Sequence, residues 1–388
     1  MKPSAGRKKK LPAPAKQETF AMKKYDIAAY IWPSYTGTEP RTRIFWDEGI
    51  GEWQTVRKAA EDDPKRPLPV WGFEDEADPK VMEKQIDAAA DHGVNVFIYD
   101  WYWYDHRPFL EQCLDNGFLK AKNRSRMKFY LMWANHDVGM VWDRRNADAD
   151  GLIYLGAVDR KDFDIIVKRV IENYFSQPEY YKIDGKPVFM IYEVMNLIKG
   201  LGGVENAREA LDYFRAETVK AGFPGLELQM TFWSEYAVNL SGVDSEKTGS
   251  ASDAVRLLGF DSITHYQFVH FTPLGESRPY KDAVDLIDDE WARITANCPA
   301  TYYPHVSIGW DNNPRYKNAG RTIMTGATPE LFGEALEKAK KYVDDRPEMT
   351  PLITINSWNE WTETSYLEPD TKFGYAYLET VKKVFGDK

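Results

Sequence analysis

Short apolar runs alternate with amphipathic stretches along the chain from residue 25 onward. The apolar runs have the length and near-continuous hydrophobicity of buried parallel strands. They cover residues 25–32, 94–101, 127–134, 187–193, 226–233, 260–267, 302–310 and 351–357. Apolar residues at helical spacing predict helices over residues 79–92, 107–116, 160–176, 204–221, 250–258, 281–297, 328–344 and 375–385. Asp78-Pro79 and Thr328-Pro329 are typical helix starts.

Eight predicted strands that alternate with eight predicted helices indicate a single (β/α)₈ TIM barrel over residues 25–388. An open doubly wound sheet is the main alternative. Such a sheet usually begins with a glycine-rich phosphate turn, whereas Trp32-Pro33-Ser34-Tyr35 follows the first predicted strand. Residues 33–78 contain no clear element and are predicted to form a large loop over the barrel mouth.

The first 24 residues differ from the rest in composition and charge. They contain eight basic residues and one acid, so they carry +7 and the remaining chain carries −17 of the total of −10. Few large apolar residues occur there, which predicts a disordered basic tail. The acidic charge of the barrel argues against nucleic acid as a partner. No apolar stretch follows the basic residues, so no secretory signal is predicted, and the compartment stays open.

Other motifs narrow the range of chemistry. Cys113 and Cys298 form neither a metal motif nor a disulfide framework and are predicted to be reduced core thiols. None of the six histidines belongs to a recognised ligand motif, so no metal or cofactor is predicted. The sequence contains no run of 18 apolar residues, so no membrane span is predicted.

Aromatic and polar residues occur together where the predicted strands end. The active site of a TIM barrel lies at these C-terminal strand ends. Trp and Tyr can pack against the C–H faces of sugars, while carboxylate, amide and imidazole groups bind hydroxyls. The predicted carbohydrate-binding residues are Tyr30, Trp32, Asp100, Trp101, Trp103, Trp133, Asn135, Glu193, Trp233, His265, Tyr266, Trp310, Asp311, Asn356 and Trp358. The alternative is that these aromatic residues only cap the barrel core.

Glu360 and Glu363 directly follow the eighth predicted strand. If this segment makes a helical turn, their i, i+3 spacing puts both on one side, with Cβ atoms roughly 5–6 Å apart. Glycosidases need two carboxyl groups at the scissile bond, and a close pair is typical of retention. Two adjacent carboxyl groups also resist joint ionisation, which separates their pKa values. The pair is therefore the predicted catalytic centre, and a solvated acidic turn is the alternative.

The segment around this pair resembles a known family. Residues 355–370 read INSWNEWTETSYLEPD and residues 374–379 read GYAYLE. Together with IAAYIWP at 27–33 and FIYDWYW at 97–103, they resemble the WbsX-like proteins, also described as glycoside hydrolase family ninety-nine-like domains. The resemblance spans residues 25–385 and implies a (β/α)₈ barrel that is distantly similar to the retaining endo-α-mannosidases.

The resemblance also implies separate roles for the two glutamates. Glu360 matches the base that acts on the substrate 2-hydroxyl, and Glu363 matches the general acid/base at the glycosidic oxygen, in a mechanism that passes through an anhydro-sugar. Thr362 and Thr364 depart from the mannosidase pattern, which has His and Gly there, so the sugar is left open. The leading hypothesis is a retaining glycoside hydrolase acting on an oligo- or polysaccharide. A glycosyltransferase of polysaccharide synthesis, a label that WbsX-like proteins also carry, and a non-catalytic glycan-binding barrel are the alternatives.

Overall fold

A computed structural model describes residues 25–242, 247–272, 276–318 and 320–386. The tail predicted for residues 1–24 lies outside these described residues. Within them, no helix combines the length and the apolar character needed to cross a bilayer. Both cysteines are buried free thiols, as predicted.

Parallel strands form the centre of the fold. In chain order the strands are β1 (Asp26–Ile31), β2 (Val96–Tyr104), β3 (Lys128–Trp133), β4 (Lys186–Ile191), β5 (Glu227–Thr231), β6 (Ser262–Thr264), β7 (Thr301–Tyr302), β8 (His305–Ser307) and β9 (Leu352–Asn356). Their order in the sheet is β7-β6-β5-β4-β3-β2-β1-β9-β8. Only Tyr303 and Pro304 separate β7 from β8, so the two ends of this order belong to one interrupted strand. The sheet therefore closes into the predicted eight-stranded barrel.

The interruption corrects the continuous strand predicted over 302–310. The Tyr303 amide donates to the Ile263 carbonyl (2.9 Å) on one side, and the Thr354 amide donates to the Pro304 carbonyl (3.0 Å) on the other. Proline has no amide hydrogen and therefore cannot continue a ladder on both sides. The register is carried across the break by these flanking bonds.

Helices surround the barrel. Over the described ranges they are α1 (Trp53–Asp62), α2 (Pro79–Asp91), α3 (Arg160–Val170), α4 (Val194–Leu201), α5 (Val204–Lys220), α6 (Ala251–Leu258), α7 (Tyr280–Asn297), α8 (Pro329–Asp344) and α9 (Ala376–Phe385). Asp78 caps α2 by accepting from the Lys80 amide (2.8 Å), and Thr328 caps α8 by accepting from the Leu331 amide (3.4 Å). Both predicted helix starts are confirmed.

Two further sequence predictions about elements are corrected, and one helix was missed. Residues 33–78 are not only a loop, because they contain α1 and a 3₁₀ turn at Pro40–Ile44. Residues 107–116 form only a π-helical turn at Cys113–Gly117, since Arg107–Phe109 pairs antiparallel with β2 after a turn with positive φ at Asp105 and His106. Helix α4 was not predicted at all. Each of these short elements is stabilised by packing against the barrel, whereas local sequence pattern alone decides only long periodic helices.

Short hairpins build the rim at the C-terminal ends of the strands. They pair Val138–Gly139 with Leu152–Tyr154, Ala237–Asn239 with Thr248–Ser250, and Asn359–Glu360 with Ser365–Tyr366. At the other end, Lys182–Ile183 pairs with the start of β4. The rim hairpins and α1 therefore surround the mouth of the barrel.

Candidate active site

A cavity of about 250 Å³ opens at the C-terminal ends of the strands. Aromatic side chains from several loops form most of its wall, and three carboxyl groups and one guanidinium lie among them. Its lining residues are Trp32, Asp100, Tyr102, Met132, Ala134, His136, Val141, Trp142, Tyr192, Trp233, Tyr266, Arg315, Glu360 and Glu363. A concave aromatic site with a few convergent polar groups is the usual form of a small-ligand site.

Glu360 and Glu363 enter this cavity from one short turn, residues 359–363, which we call the glutamate turn. Asn359–Glu360 forms a hairpin strand, and Trp361–Glu363 completes a 3₁₀ turn. The Ser357 hydroxyl accepts from the Glu360 amide (2.8 Å) and so fixes the entry to the turn. Both glutamates are buried, with 2% and 7% of their surface exposed. The turn predicted from the i, i+3 spacing is present, and the two residues do lie on one side of it.

Arg315 connects the two carboxyl groups. Its Nη2 donates to Glu360 Oε1 and its Nη1 donates to Glu363 Oε1, each at 2.8 Å. Its Nε donates to the Thr362 hydroxyl at 3.0 Å. All three nitrogens of the planar guanidinium thus donate to the glutamate turn, which a lysine ammonium could not match in geometry.

Glu52, from the segment before α1, supports this arrangement from outside the cavity lining. The Thr362 hydroxyl lies 3.0 Å from Glu52 Oε1, and the Ser34 hydroxyl donates to Glu52 Oε2 at 3.0 Å. The Trp32 indole also donates to Glu52. Since Glu52 lies 3.7 Å from Arg315, the long β1–α2 connection contributes charge to the site as well as covering it.

Burial raises the pKa values of the cavity carboxyl groups. The pKa of Glu360 lies well above its ordinary value because of burial and the nearby charge of Glu363, although Arg315 opposes the shift. Burial also raises the pKa of Glu363, again against Arg315. The pKa of Asp100 is raised well above its usual range by burial and then by Glu363. These groups therefore retain protons to higher pH than free carboxyl groups do.

Two carboxyl oxygens in the cavity have no hydrogen-bond partner among the described residues. They are Glu363 Oε2 and Asp100 Oδ1, both of which are buried. The other Asp100 oxygen accepts weakly from the Tyr266 hydroxyl at 3.4 Å. Buried polar atoms are nearly always paired, so these two oxygens are the best-placed atoms for a ligand.

The structure brings six of the predicted site residues together. Trp32, Asp100, Trp233 and Tyr266 line the same cavity as Glu360 and Glu363. Trp233 stacks on His270, with ring centroids 4.2 Å apart, and presents a partly exposed face.

Five predicted binding residues belong instead to the layer between the barrel and its helices. None of these five residues lines the cavity, and neither do the aromatic rings that they contact. Trp101 donates to Glu111 (2.8 Å), Trp103 to Asp162 (3.1 Å) and Trp358 to Gln85 (3.2 Å), Trp133 packs near Phe163, and His265 contacts the Tyr302 hydroxyl (2.8 Å). Side chains alternate along a strand, so every second residue at a strand end faces outward. The prediction selected residues by their proximity to a strand end and did not take this alternation into account.

The remaining predicted residues lie near the cavity without lining it. Tyr30 lies beneath Tyr266 in the barrel, Asn356 accepts from Gln267 (3.2 Å), and Asn135 forms two bonds to the Glu193 backbone. The Glu193 carboxylate caps α4 through the Met195 amide (3.0 Å). Trp310 bridges to Met324, and Asp311 pairs with Arg66 (3.1 Å). These contacts fix the positions of strand ends.

Sequence reasoning missed several members of the site. Arg315 and Trp142 end single 3₁₀ turns, Asn313–Arg315 and Met140–Trp142, which are too short for a sequence period to indicate where they point. Tyr102 could have been chosen, because it lies two residues after Asp100 and therefore on the same face of β2. His136 and Tyr192 also follow strands closely, and both line the cavity. No group of three His, Cys, Asp or Glu residues within the described ranges is arranged to hold a metal ion.

The fold is that of barrel-type glycoside hydrolases. A structure described as a glycoside hydrolase-like protein matches with a TM-score of 0.58 and 14% identity, over 97% of this chain and 98% of that one. The GH99 endo-alpha-mannosidase from Bacteroides thetaiotaomicron, in complex with bis-tris propane, matches with a TM-score of 0.57 and 14% identity over 94% and 96%. At this identity the similarity concerns the fold.

The family model described as "Glycosyltransferase WbsX" matches residues 27–381, and the chain belongs to this family. The resemblance to WbsX-like proteins is thereby confirmed. The uncharacterized protein WxcX of Xanthomonas campestris pv. campestris is 25% identical over 372 residues, in the strains ATCC 33913 and B100. The match covers 92% of this chain and 49% of WxcX, so the chain spans about half the length of these curated relatives.

Proposed function

We propose that the protein is a retaining glycoside hydrolase that acts on an oligo- or polysaccharide through Glu360 and Glu363. One observation carries the proposal: two buried carboxyl groups share one guanidinium at the wall of an aromatic cavity. Two carboxyl groups held this close together can supply the acid and the base that act on one glycosidic bond. The fold of the structural neighbours and the resemblance of the glutamate turn to that of the endo-α-mannosidases support it.

In the proposed first step, Glu363 donates a proton to the glycosidic oxygen while the bond from that oxygen to C1 breaks. Glu360 takes the proton of the 2-hydroxyl, whose oxygen forms a bond to C1 and gives a 1,2-anhydro-sugar. In the second step, water forms a bond to C1 while the bond from C1 to O2 breaks and opens the anhydro ring. Glu363 then accepts a proton from the water and Glu360 returns a proton to O2, so that both groups regain their starting state.

In the unliganded site, burial raises the pKa values of both Glu360 and Glu363, so the pair retains a proton to higher pH than free carboxyl groups do. A substrate 2-hydroxyl that donates to Glu360 would stabilise its carboxylate and leave the proton to Glu363. Substrate binding therefore sets the protonation states that the first step requires. The free Oε2 of Glu363 is the atom expected to meet the glycosidic oxygen.

The test compares Glu360→Gln and Glu363→Gln with the unmodified protein on a broad panel of polysaccharides and aryl glycosides, with product analysis. Each substitution should lower the rate by roughly 10²–10⁴-fold, because each removes one proton transfer. An aryl glycoside with a good leaving group should restore much of the rate of Glu363→Gln, since it needs no acid, but none of that of Glu360→Gln. Glu193→Gln is the matched control, because Glu193 caps α4 outside the cavity. Full activity in either catalytic variant would refute the assignment.

The family description favours a second candidate, a glycosyltransferase. Isothermal calorimetry with a panel of nucleotide sugars separates the two. Saturable binding of one of them, abolished by substitutions in the cavity, would support transfer. A non-catalytic glycan-binding barrel would instead cleave nothing, and its glutamate variants would still bind glycan.

A further inference from the structure

A second pair of buried glutamates lies next to the glutamate turn. Glu76 precedes α2, Gln85 lies on α2, and Glu368 follows the turn. Their exposed fractions are 0%, 2% and 4%, and none of the three lines the cavity. We call these residues the support cluster.

Gln85 joins the two carboxyl groups of the cluster. Its Nε2 donates to Glu76 Oε1 at 3.1 Å and to Glu368 Oε1 at 2.9 Å. Its Oε1 accepts from the Trp358 indole at 3.2 Å. Every polar atom of this amide is therefore used, and its orientation is fixed by three partners.

Each carboxyl group of the cluster also holds one neighbour of Glu360. Asn359 Nδ2 donates to Glu76 Oε2 at 2.9 Å, and the Trp361 indole donates to Glu368 Oε2 at 2.6 Å. Asn359 and Trp361 are the residues directly before and after Glu360. The cluster thus contacts the glutamate turn on both sides of the proposed base.

Asn359 extends this support to the wall of the cavity. Its Oδ1 accepts from the Trp32 amide at 2.8 Å, and its Nδ2 donates to the Trp32 carbonyl at 2.9 Å. Trp32 lines the cavity. A displaced Asn359 side chain would therefore move both Trp32 and the backbone of Glu360.

We propose that Glu76 and Glu368, joined by Gln85, are positioning residues that fix the direction of the Glu360 carboxyl group and of Trp32. They touch neither the cavity nor the reacting atoms and act through Asn359 and Trp361. The proposal rests on the proposed function only in that Glu360 is taken to react.

The charges around the support cluster argue against a role in stability alone. No cation bonds to either carboxyl group within the described part of the chain. Glu76 faces Glu368 and the Cys113 thiol, while Lys84 and Glu74 act on Glu368 with opposite signs. Burial raises the pKa of Glu368 to about 8 and that of Glu76 well above its usual range. Buried carboxyl groups without a cation weaken a fold, and such costs are found where a site needs a fixed geometry.

The test uses Glu76→Gln and Glu368→Gln in the full chain. Each carboxyl oxygen of the pair accepts an N–H, and a carboxamide nitrogen cannot accept, so each substitution removes one of these bonds and should loosen the turn. We expect kcat to fall about 10- to 100-fold with KM within about twofold, because a small displacement of a reacting group mainly affects the chemical step. Glu83→Gln is the matched control: Glu83 lies on α2 as Gln85 does, is partly exposed and pairs with Lys80. It should leave both constants unchanged.

A second readout does not depend on hydrolysis. With 5-fluorotryptophan incorporated, the ¹⁹F resonance of Trp32, assigned by its loss in Trp32→Phe, reports the wall of the cavity. It should shift in Glu76→Gln, because Asn359 joins the Glu76 carboxyl group to the Trp32 backbone, and it should stay in place in Glu83→Gln. If one cluster variant does not fold, as judged by circular dichroism, the other carries the test.

Several outcomes would overturn the proposal. They are a kcat within twofold of the unmodified protein in both cluster variants, a loss of rate that only follows the folded fraction, and an unchanged Trp32 resonance. If the unmodified protein cleaves no glycan, the proposed function fails, while the ¹⁹F shift still decides whether the cluster positions the turn.

Discussion

Arg315 is the cation around which the carboxyl groups of the site are arranged. It contacts Glu360 and Glu363 and lies 3.7 Å from Glu52, and only 11% of its side chain is exposed. Removing one member of such a buried group leaves the others without compensation, which costs more than the group contributes when it is complete. Arg315 should therefore matter for stability as well as for catalysis.

Arg315→Met should abolish activity and lower the free energy of unfolding by about 3–5 kcal/mol at pH 8. The loss should be smaller at pH 5. The pKa values of Glu360 and Glu363 are already raised in the folded protein, and without Arg315 they rise further. The variant therefore loses stability as the pH increases from the pKa of these groups in the unfolded chain towards their higher pKa in the folded protein. Urea unfolding at both pH values measures this difference.

Arg321→Met is the control for that experiment, since Arg321 forms an exposed pair with Asp148. It should change stability by no more than about 0.5 kcal/mol at either pH. An equal deficit of Arg315→Met at pH 5 and pH 8 would contradict the electrostatic explanation.

The support cluster makes a separate prediction about pH and stability. Burial raises the pKa of Glu368 in the folded protein to about 8, above its ordinary value of 4.5. Because this pKa is higher in the folded protein than in the unfolded chain, the contribution of Glu368 to stability is fully present below pH 4.5 and is lost as the pH rises through 8. The free energy of unfolding should therefore fall across this range in the unmodified protein and less steeply in Glu368→Gln. Parallel curves from urea titrations between pH 5 and pH 9 would exclude the shift.

At the scale of single elements, the alternation of β2 decides which aromatic residues meet a ligand. Asp100 and Tyr102 line the cavity, whereas Trp101 and Trp103 bond to Glu111 and Asp162 in the outer layer. All of these residues are buried, so burial alone does not separate them. The direction of each side chain does.

Two neighbouring substitutions on β2 test this assignment. Trp101→Leu should lower the free energy of unfolding by about 3 kcal/mol, because it leaves a void and removes the indole bond, and it should leave KM and kcat unchanged. Tyr102→Leu should instead raise KM about tenfold, since it removes a cavity wall. Thermal unfolding and steady-state kinetics measure both effects. A higher KM in Trp101→Leu would place that ring at the ligand after all.

Much of the element pattern followed from the sequence, for an identifiable reason. Strands buried on both sides are continuous apolar runs, and long amphipathic helices repeat their pattern over several turns. Short elements have no such redundancy. Helix α1 buries Trp53, Thr55 and Val56, whose types favour strands as much as helices, so only its packing against the barrel makes it helical.

At the scale of the whole molecule, a second cavity of about 600 Å³ is lined by Phe45, whose ring packs against Trp142 of the first cavity with centroids 5.4 Å apart. Its lining residues are Phe45, Asp47, Glu48, Gln54, Thr55, Lys58, Asp62, Asp143, Arg144, Arg145 and Lys317. Residues close together in the chain line the two cavities. Trp142 and Arg315 line the first, and Asp143 and Lys317 line the second. A cavity of 250 Å³ lies below the usual range for an extended ligand, about 300–1,000 Å³. A longer glycan would therefore have to extend beyond it, and the second cavity lies next to it.

If the second cavity receives the adjoining sugars, affinity should depend on chain length. Lys317→Met should raise KM several-fold for oligosaccharides and leave KM unchanged for a short aryl glycoside, because only the longer ligand reaches Lys317. Lys161→Met, at an exposed position on α3, is the control. An equal effect on short and long substrates in steady-state kinetics would exclude this extension.

The sequence by itself determined the barrel, the family and the glutamate pair. Each depends on local information: a strand or helix period, a motif, or a fixed spacing of three residues. The tertiary structure alone decided that Arg315 and Glu52 surround that pair, that Trp101 and Trp103 face away from it, and that Glu76 and Glu368 support its turn. These relations join residues far apart in the chain, and only closure of the barrel brings them together. The alternation of a strand limits which residues can share a face, but only packing decides which face meets the ligand.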